Sequence, residues 1–367
     1  MATYGPRDTS TLALMTGWDA AELSKFQLQD GTTYAQVVAR INAALAALNA
    51  ELASNWMANL FSVTDQPDVE YRVGSSNGFE QFTEYGRADP KRAATEGHML
   101  PLIPYDRMLG WTWNYLRKAR LEQIDADIAD AIKDARDKVR VSILTRLLKR
   151  GDDSGTLAGL GTSGYSPGFA TTAASTSVDF TPPAFEGTAF ASTHEHYVPI
   201  AGGVFTNAVF EDAYDELREH GHSGPFEFLI GPSDRSTVTA LSKFTPVKND
   251  LLQLGSTQDV ALLNPAEYIG TWDGVIAIRE VRGIPQYYGV GYKSYGRLSQ
   301  RNPLAIRVGK GENSLRVTAM TDPRAGNGSI PIQNLMLFLE LGVGVKDRTA
   351  GTPRYVNNST WADGTPT

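Results

Sequence analysis

Two closely spaced histidine pairs are the residues whose type and spacing come nearest to a chemical site. His194 and His196 flank Glu195, and His220 and His222 flank a glycine. On a strand, alternate side chains share a face, so such a pair could present two imidazoles to one metal ion. The first pair lies at the edge of a loop and the second at a predicted helix end, and neither has an HExxH motif or a third ligand at regular spacing. We therefore expect polar or packing histidines, with no metal and no cofactor.

A second motif, the sequence GSSNG at residues 74–78, formally matches the G-x-S-x-G nucleophile elbow. That elbow works only where a strand turns into a helix and raises the serine above a sheet. Strand-forming residues flank the motif on both sides here, which predicts a hairpin turn. The chain has no phosphate-binding G-x-x-x-x-G-K-[ST] sequence and no cysteine, so thiolate chemistry and disulfides are excluded. We find no catalytic set and predict that the chain is not an enzyme.

The overall composition is that of an acidic globular protein. The 367 residues are 41% hydrophobic and 20% charged, with a formal net charge of −7. Proteins that grip DNA through its phosphates usually carry an excess of Lys and Arg, so direct DNA binding is not expected. Residues 1–10 do not form a signal peptide, and no apolar run is long enough to span a membrane. We expect synthesis in the cytoplasm and no membrane contact.

Hydrophobic periodicity predicts an arm followed by a helix at the start of the chain. Residues 1–31 show no sustained hydrophobic periodicity and are predicted to be an extended arm. An amphipathic helix is predicted from Thr32 to about Leu60, with Thr32 or Thr33 as its N-cap. Its apolar stripe consists of Val37, Ile41, Ala44, Leu48, Leu52 and Trp56.

Residues 68–104 are predicted to form a long antiparallel hairpin. Alternating apolar residues at 69–73 precede the glycine-rich turn at 74–78, and strand formers follow at 79–85. Residues 98–103 are expected to return beside them after a charged link at 86–97. A two-stranded hairpin is marginal alone in water, so this one needs a surface to lie on. The charged residues assigned to its tip are Arg87, Asp89, Lys91, Arg92 and Glu96.

A helix of unusual length is predicted next, from Asp106 to Arg150. Its basic last turn and the following Gly151 are typical of a helix C-terminus. At 1.5 Å per residue it would span roughly 65 Å, which exceeds the width of most globular domains. The stripe that predicts it consists of Leu109, Trp113, Leu116, Leu121, Ile124, Ile128, Ala131, Ala135, Val139, Ile143 and Leu147.

The second half of the chain is predicted to mix helices with many strands. Residues 151–190 form a Gly/Ser/Thr-rich connection of unusual length. A short helix at 205–220, a strand at 226–230 and a helix at 232–241 follow. Strands are predicted at 275–278, 286–292, 304–308, 315–320 and 335–345, and the tail after Gly351 is polar.

This order of elements resembles the HK97-type major capsid proteins of tailed bacteriophages. The likeness is best at Tyr71–Arg150, where a hairpin runs into a long helix, and at Gly274–Val356. The closing strands GVIAIREV, NPLAIRV, SLRVTAM and NLMLFLELGVGVKD resemble those of the family. The resemblance implies an α+β fold with an N-terminal arm, a hairpin called the E-loop, a peripheral domain built on a spine helix, and an α/β axial domain.

The resemblance also implies boundaries for these parts. The arm and first helix occupy residues 1–67, the E-loop 68–104, and the peripheral domain with its spine helix and flexible connection 105–200. The axial domain occupies 201–274, the peripheral strands and return 275–330, and the closing axial strand with the C-terminal tail 331–367. The tip residues Arg87, Asp89, Lys91, Arg92 and Glu96 are then expected to contact neighbouring subunits.

By the same resemblance, many copies are expected to form an icosahedral phage head of hexamers and pentamers that encloses double-stranded DNA. Portal proteins and scaffolding or decoration proteins are the implied partners, and the virion is the implied location. Some members carry an N-terminal scaffolding segment; because the capsid-like part begins almost at once here, we expect scaffolding to be either absent or a separate protein. Some members link a hairpin lysine to a neighbour's asparagine, and Lys91 with Asn357 or Asn358 would be the residues here, although a solvated or salt-bridged Lys91 is the default. The first alternative is an encapsulin-type shell around cargo enzymes. A metal-dependent enzyme built on the histidine pairs is a third alternative, ranked far behind the other two.

Overall fold

The computed structural model describes residues 27–73, 94–151, 155–156, 163–164, 167–171, 180–246, 268–321 and 332–367. Its helices are α1 (Tyr34–Ser54), α2 (Trp113–Lys118), α3 (Leu121–Leu148), α4 (Asn207–Glu219) and α5 (Arg235–Thr239). Turns of 3-10 helix cover Trp56–Asn59 and Pro232–Asp234. The strands are β1 (Phe61–Thr64), β2 (Asp68–Val73), β3 (Ala94–Met99), β4 (Ile103–Thr112), β5 (Gly155–Thr156), β6 (Ser163–Gly164), β7 (Val198–Pro199), β8 (Phe226–Ile230), β9 (Phe244–Pro246), β10 (Tyr268–Trp272), β11 (Ile276–Glu280), β12 (Tyr288–Lys293), β13 (Leu304–Arg307), β14 (Val317–Thr321), β15 (Ile332–Val345) and β16 (Gly351–Tyr355).

Two large mixed sheets organise the described residues. The first has the strand order β1-β13-β15-β14, and β4 also pairs with β15. The second has the order β7-β16-β12-β8-β11-β10-β9. The long strand β15 joins the parts of the first sheet, because residues 332–341 pair with β4 and residues 342–345 pair with β13.

Helices α1 and α3 build the larger core together with the first sheet. The helical spacing predicted for α1 is confirmed, since Val37, Ile41, Leu48 and Leu52 are all buried. On α3, Ile124, Ile128, Ala131, Val139, Ile143 and Leu147 are buried in the same cluster. Each fully buried aliphatic side chain of this kind contributes roughly 1.5–3 kcal/mol. The apolar stripes therefore fix how the two helices pack.

The second sheet separates this core from a smaller one. On β8, Phe226, Phe228 and Ile230 belong to the smaller cluster with α4, whereas Leu229 belongs to the larger one. Successive side chains of a strand point to opposite faces, so the central strands of this sheet are covered on both sides. The predicted strand at 226–230 and the helix at 205–220 are confirmed.

The predicted capping of α1 is confirmed and falls on Thr33. Its hydroxyl accepts from the Gln36 backbone N–H at 3.4 Å, and the Gln36 side chain accepts from the Thr33 N–H at 2.9 Å. Thr32 instead contacts the exposed carboxylate of Asp30.

We expect Thr33→Ala to lower the free energy of unfolding by about 1 kcal/mol, because a helix N–H loses its acceptor. Thr32→Ala is the matched control and should change it by less than about 0.5 kcal/mol. Urea unfolding of the unassembled subunit measures both. Equal losses in the two variants would contradict the assignment of the cap.

The helix predicted from Asp106 to Arg150 is wrong in its first part. Residues 103–112 form β4, whose alternate residues are exposed, and α3 begins only at Leu121. Over its 28 residues α3 is about 42 Å long. Residues 103–112 form a strand because all ten of them pair with residues 332–341 of β15. The Trp111 indole N–H on this strand donates to the Asp127 carboxylate of α3 at 2.9 Å.

Three other expectations are corrected near the ends of elements. Helix α3 ends with Lys149 in an extended conformation, so Gly151 is not its left-handed cap. Instead the buried Arg146 guanidinium donates to the carbonyls of Lys149 and Gly151, the latter at 2.9 Å. Residues 351–355 are strand β16 rather than a polar tail. Within the 151–190 connection, Phe169 and Phe180 are buried, so those described parts pack into the body of the molecule.

Candidate functional site

A two-stranded ribbon, β2 with β3, occupies the position of the predicted hairpin. The strands pair antiparallel, from Asp68 opposite Met99 to Val73 opposite Ala94. In the described residues, β2 and β3 pair only with each other. The base of the ribbon is anchored, because Val69 is buried in a cluster with Leu100 and Ala305.

Further hydrogen bonds hold the chain where the ribbon meets the first sheet. The Leu100 N–H donates to the Pro67 carbonyl at 2.7 Å, which closes the base. Arg307 of β13 donates to the Leu100 carbonyl at 2.6 Å. The base is therefore fixed in place by contacts with the body of the subunit.

The predicted tip residues lie mostly outside the described residues. Arg87, Asp89, Lys91 and Arg92 belong to this group, as do the turn predicted at 74–78 and the strand predicted at 79–85. Glu96 is described and lies on β3 opposite Tyr71. The returning strand is corrected, since it covers Ala94–Met99 and not residues 98–103.

Several large apolar side chains on the ribbon, on β4 and on α2 remain exposed. Met99 at the end of β3 is 49% exposed, and Met108 on the outer side of β4 is 48% exposed. Tyr115 on the adjoining α2 is 38% exposed. Scattered exposed apolar residues are ordinary in monomers. They nevertheless provide apolar surface that another protein could cover.

The second candidate site is a triangle of histidines that sequence spacing did not predict. The Nε2 atoms of His194 and His196 lie 3.1 Å apart, and the Nε2 of His220 lies 2.9 Å from each of them. His194 and His196 precede β7, and His220 follows the last residue of α4. Both members of the first pair and one member of the second thus meet at one point, which we name the histidine triangle (His194, His196, His220).

The fourth paired histidine points elsewhere. His222 shares hydrogen bonds with the Tyr295 hydroxyl at 2.8 Å and the Thr349 hydroxyl at 3.0 Å. For this residue the expectation of a polar packing histidine agrees with the geometry. His222 is therefore a natural control for the triangle.

The histidine triangle is surrounded by protein, and the acidic side chains of Glu219 and Glu216 lie nearby. Burial lowers the pKa of His220 to about 2 and holds the pKa of the fully buried His196 well below its usual range. Both rings are therefore neutral at physiological pH. The Glu219 Oε1 atom lies 3.3 Å from the His194 Nε2 and 3.6 Å from the His220 Nε2. Phe190 packs against the His194 and His220 rings, with centroids 4.9 and 4.4 Å away.

A buried ion pair lies next to the triangle, on β16 and α4. Arg354 is fully buried, and its Nη2 contacts Glu216 at 2.7 Å and the more exposed Asp212 at 3.0 Å. The Thr352 hydroxyl also donates to Glu216. Burial raises the pKa of the Glu216 carboxyl, and the Arg354 charge opposes that rise. The pair joins α4 to the second sheet.

Comparison with solved structures identifies the fold. A structure from Mycobacterium phage Patience matches with a TM-score of 0.63 and 20% identity over 94% of both chains. The mature capsid of bacteriophage PhiM1 gives a TM-score of 0.48 and 12% identity, over 82% of this chain and 86% of that one. The SrpI encapsulin complex from Synechococcus elongatus gives 0.41 and 11%, over 84% and 89%. No family model and no curated protein matches the sequence.

The first of these likenesses spans nearly the whole of both chains and shows a shared fold. The chain therefore shares its mixed α and β fold with the Mycobacterium phage structure, in agreement with the resemblance to phage proteins drawn from the order of its elements. Among the described helices, none combines the length and apolar character that a membrane crossing requires.

Proposed function

We propose that this chain is the major capsid protein of a tailed bacteriophage and that many copies assemble into an icosahedral head around double-stranded DNA. The observation that carries the proposal is the fold shared with the phage structure over 94% of both chains. The ribbon adds support, because β2 and β3 find no third strand in the described part of the chain. A role as a structural protein also agrees with the lack of a catalytic set in the sequence.

Within this proposal, the ribbon at 68–104 is the E-loop and α3 is the spine helix. The charged residues assigned to the tip of the ribbon, from Arg87 to Glu96, would contact neighbouring subunits. Helices α1 and α3 with the first sheet would form the peripheral domain. The second sheet with α4 and α5 would form the axial domain. Strands β11 and β12 then belong to the axial domain and not to the predicted peripheral strands at 275–330, and β15 belongs to the peripheral domain and not to the predicted closing axial strand at 331–367. The boundaries at 67, 104 and 200 stay part of the proposal.

Assembly follows from surfaces that a single copy does not cover. A two-stranded ribbon is marginal without a partner surface, and a neighbouring subunit would provide one. Repeated head-to-tail contacts generate closed rings when the rotation between copies closes. Such rings would be the hexamers and pentamers of the shell, with portal and scaffolding or decoration proteins as further partners and the virion as the location.

The acidic balance suits a container better than a DNA-binding protein. A net charge of −7 would repel the phosphate backbone at the wall of the shell. The enclosed genome would then be held by the closed shell and not by sequence-specific contacts. Synthesis would take place in the host cytoplasm.

Expression of the chain followed by negative-stain microscopy tests the proposal. We expect uniform hollow particles, because in this proposal copies of the chain cover one another's exposed surfaces. A well-behaved monomer under conditions that favour assembly would contradict a shell function.

The second candidate is an encapsulin-type shell, and the contents of the particles distinguish it. Particles recovered from the native host should protect double-stranded DNA from nuclease if the chain is a phage capsid protein. Particles that contain a single co-purifying enzyme and no protected DNA would support the encapsulin.

A further inference from the structure

The histidine triangle has three ring nitrogens that converge within hydrogen-bond distance of one another. All three contacts involve Nε2 atoms, at 2.9, 2.9 and 3.1 Å. The rings belong to two segments that are 24 or more residues apart in sequence. A contact network of this kind requires hydrogens or a cation between the nitrogens, because lone pairs that face each other repel.

The protonation of His196 follows from its second nitrogen. Its Nδ1 lies 2.7 Å from the Gly351 carbonyl, and a carbonyl can only accept. The Nδ1 of neutral His196 therefore carries the hydrogen, and its Nε2 presents a lone pair to the centre of the triangle. This is the arrangement of a metal-binding histidine, in which a backbone carbonyl fixes the tautomer through the ring's other nitrogen.

Hydrogen bonds between the three rings alone do not satisfy the three nitrogens together. If His194 and His220 both carry hydrogen on Nε2, two N–H groups converge on the single lone pair of His196. If only one of them carries hydrogen on Nε2, the other ring and His196 present bare lone pairs to each other at about the length of a hydrogen bond. A cation at the centre gives every lone pair a partner.

We propose that His194, His196 and His220 bind a divalent transition-metal ion, with zinc as the ion of choice and the Glu219 carboxylate as the fourth ligand. Imidazole nitrogen suits zinc, which binds it at about 2.0–2.1 Å in tetrahedral sites. Ligand nitrogens of such a site lie roughly 3.3 Å apart. The triangle reaches this spacing with shifts of a few tenths of an ångström. Glu219 already lies 3.3 and 3.6 Å from two of the nitrogens.

The metal would act as a structural clamp. It would join the segment before β7 to the end of α4, and the His196–Gly351 hydrogen bond would extend that link to β16. Four protein ligands close a zinc site and leave no open position for catalysis. Metal affinity then adds to the stability of the folded subunit, because the unfolded chain has no preformed site.

Metal content of the purified full-length chain tests the proposal directly. The protein is stripped with a chelator, incubated with zinc sulfate, dialysed and analysed by elemental mass spectrometry. We expect about one zinc per chain in the wild type and loss of that zinc in His194→Gln and His220→Gln. His222→Gln is the matched control and should keep it, because His222 lies outside the triangle.

Two further measurements keep the outcome independent of folding defects and of assembly. Cobalt added to the stripped wild type should give the visible absorption of a tetrahedral site, and chelation should lower the melting temperature of the wild type but not of folded His194→Gln. Wild-type protein that retains no more zinc than His194→Gln overturns the proposal. That result would leave the shell function intact, since particle formation is scored separately by microscopy.

Discussion

Replacement of residues 74–93 by a two-residue Asn-Gly turn is expected to yield a folded subunit that forms no shell. The described pairing reaches Val73 and Ala94 on the two strands. Asn-Gly closes a two-residue hairpin with the twist that antiparallel strands favour. The shortened ribbon keeps its anchored base at Val69 and Leu100 but loses the part proposed to lie on a neighbour.

Circular dichroism and size-exclusion chromatography measure folding and assembly of this variant. We expect an unchanged helical signal together with a complete loss of particles. Intact shells from the shortened chain would contradict the role proposed for the ribbon.

Lys91→Gln is the matched control for the ribbon, because it keeps the ribbon's full length and removes one charge. Exposed charge pairs contribute about 0–1 kcal/mol, so assembly should persist. The same variant tests the covalent link between Lys91 and Asn357 or Asn358. Particles that dissociate only in the variant, under denaturing conditions, would support such a link.

Helices with a sustained apolar stripe were predictable from the sequence. Val37 to Leu52 and Ile124 to Leu147 recur at three- and four-residue spacing, and both stretches are helical with those residues buried. The strands with a continuous apolar run, such as residues 226–230 and 335–345, were predictable for a similar reason. In these segments the local pattern and the tertiary contacts favour the same structure.

Residues 103–112 were not predictable because two periods overlap there. Leu109 fits a helical stripe with residues 113 and 116, and it also fits an alternation with Tyr105 and Arg107. Pairing with β15, more than 200 residues later in the chain, selects the strand. Strand β16 was missed for the same physical reason, since GTPRY contains a glycine and a proline and becomes a strand through its pairing with β12 and β7.

The ribbon and the histidine triangle differ in how much the sequence reveals. The ribbon could be predicted because its strands are close in sequence and the first of them, at 68–73, shows the alternation of apolar residues that is typical of a strand. The triangle could not, because His220 reaches His194 and His196 only after α4 folds onto the second sheet. Sequence spacing identifies metal ligands on one element, whereas these ligands are assembled from separate elements.

Arg354→Ala is expected to lower the free energy of unfolding by about 3–5 kcal/mol, the usual cost of removing one partner from a buried ion pair. The Arg354 side chain is fully buried, and the Glu216 side chain is 11% exposed. Without the guanidinium, Glu216 would be left as an uncompensated buried charge or would have to take up a proton. Burial already raises the pKa of this carboxyl, so the loss of Arg354 would raise it further.

Unfolding should be measured on an unassembled background, because two-state treatment fails for a shell. The subunit with the shortened ribbon provides that background. Asp212→Ala is the matched control, since Asp212 contacts the same guanidinium but its side chain is 59% exposed. Its removal should cost at most about 1 kcal/mol.

The double variant Glu216→Leu with Arg354→Met separates charge from packing. When both partners of a buried pair become apolar groups of similar volume, stability is often unchanged or increased. We therefore expect urea unfolding to show that the double variant is more stable than Arg354→Ala, although it carries more substitutions. If instead the double variant is as unstable as Arg354→Ala, the lost stability comes from packing around β16, and Glu216 is not held as an unpaired charge.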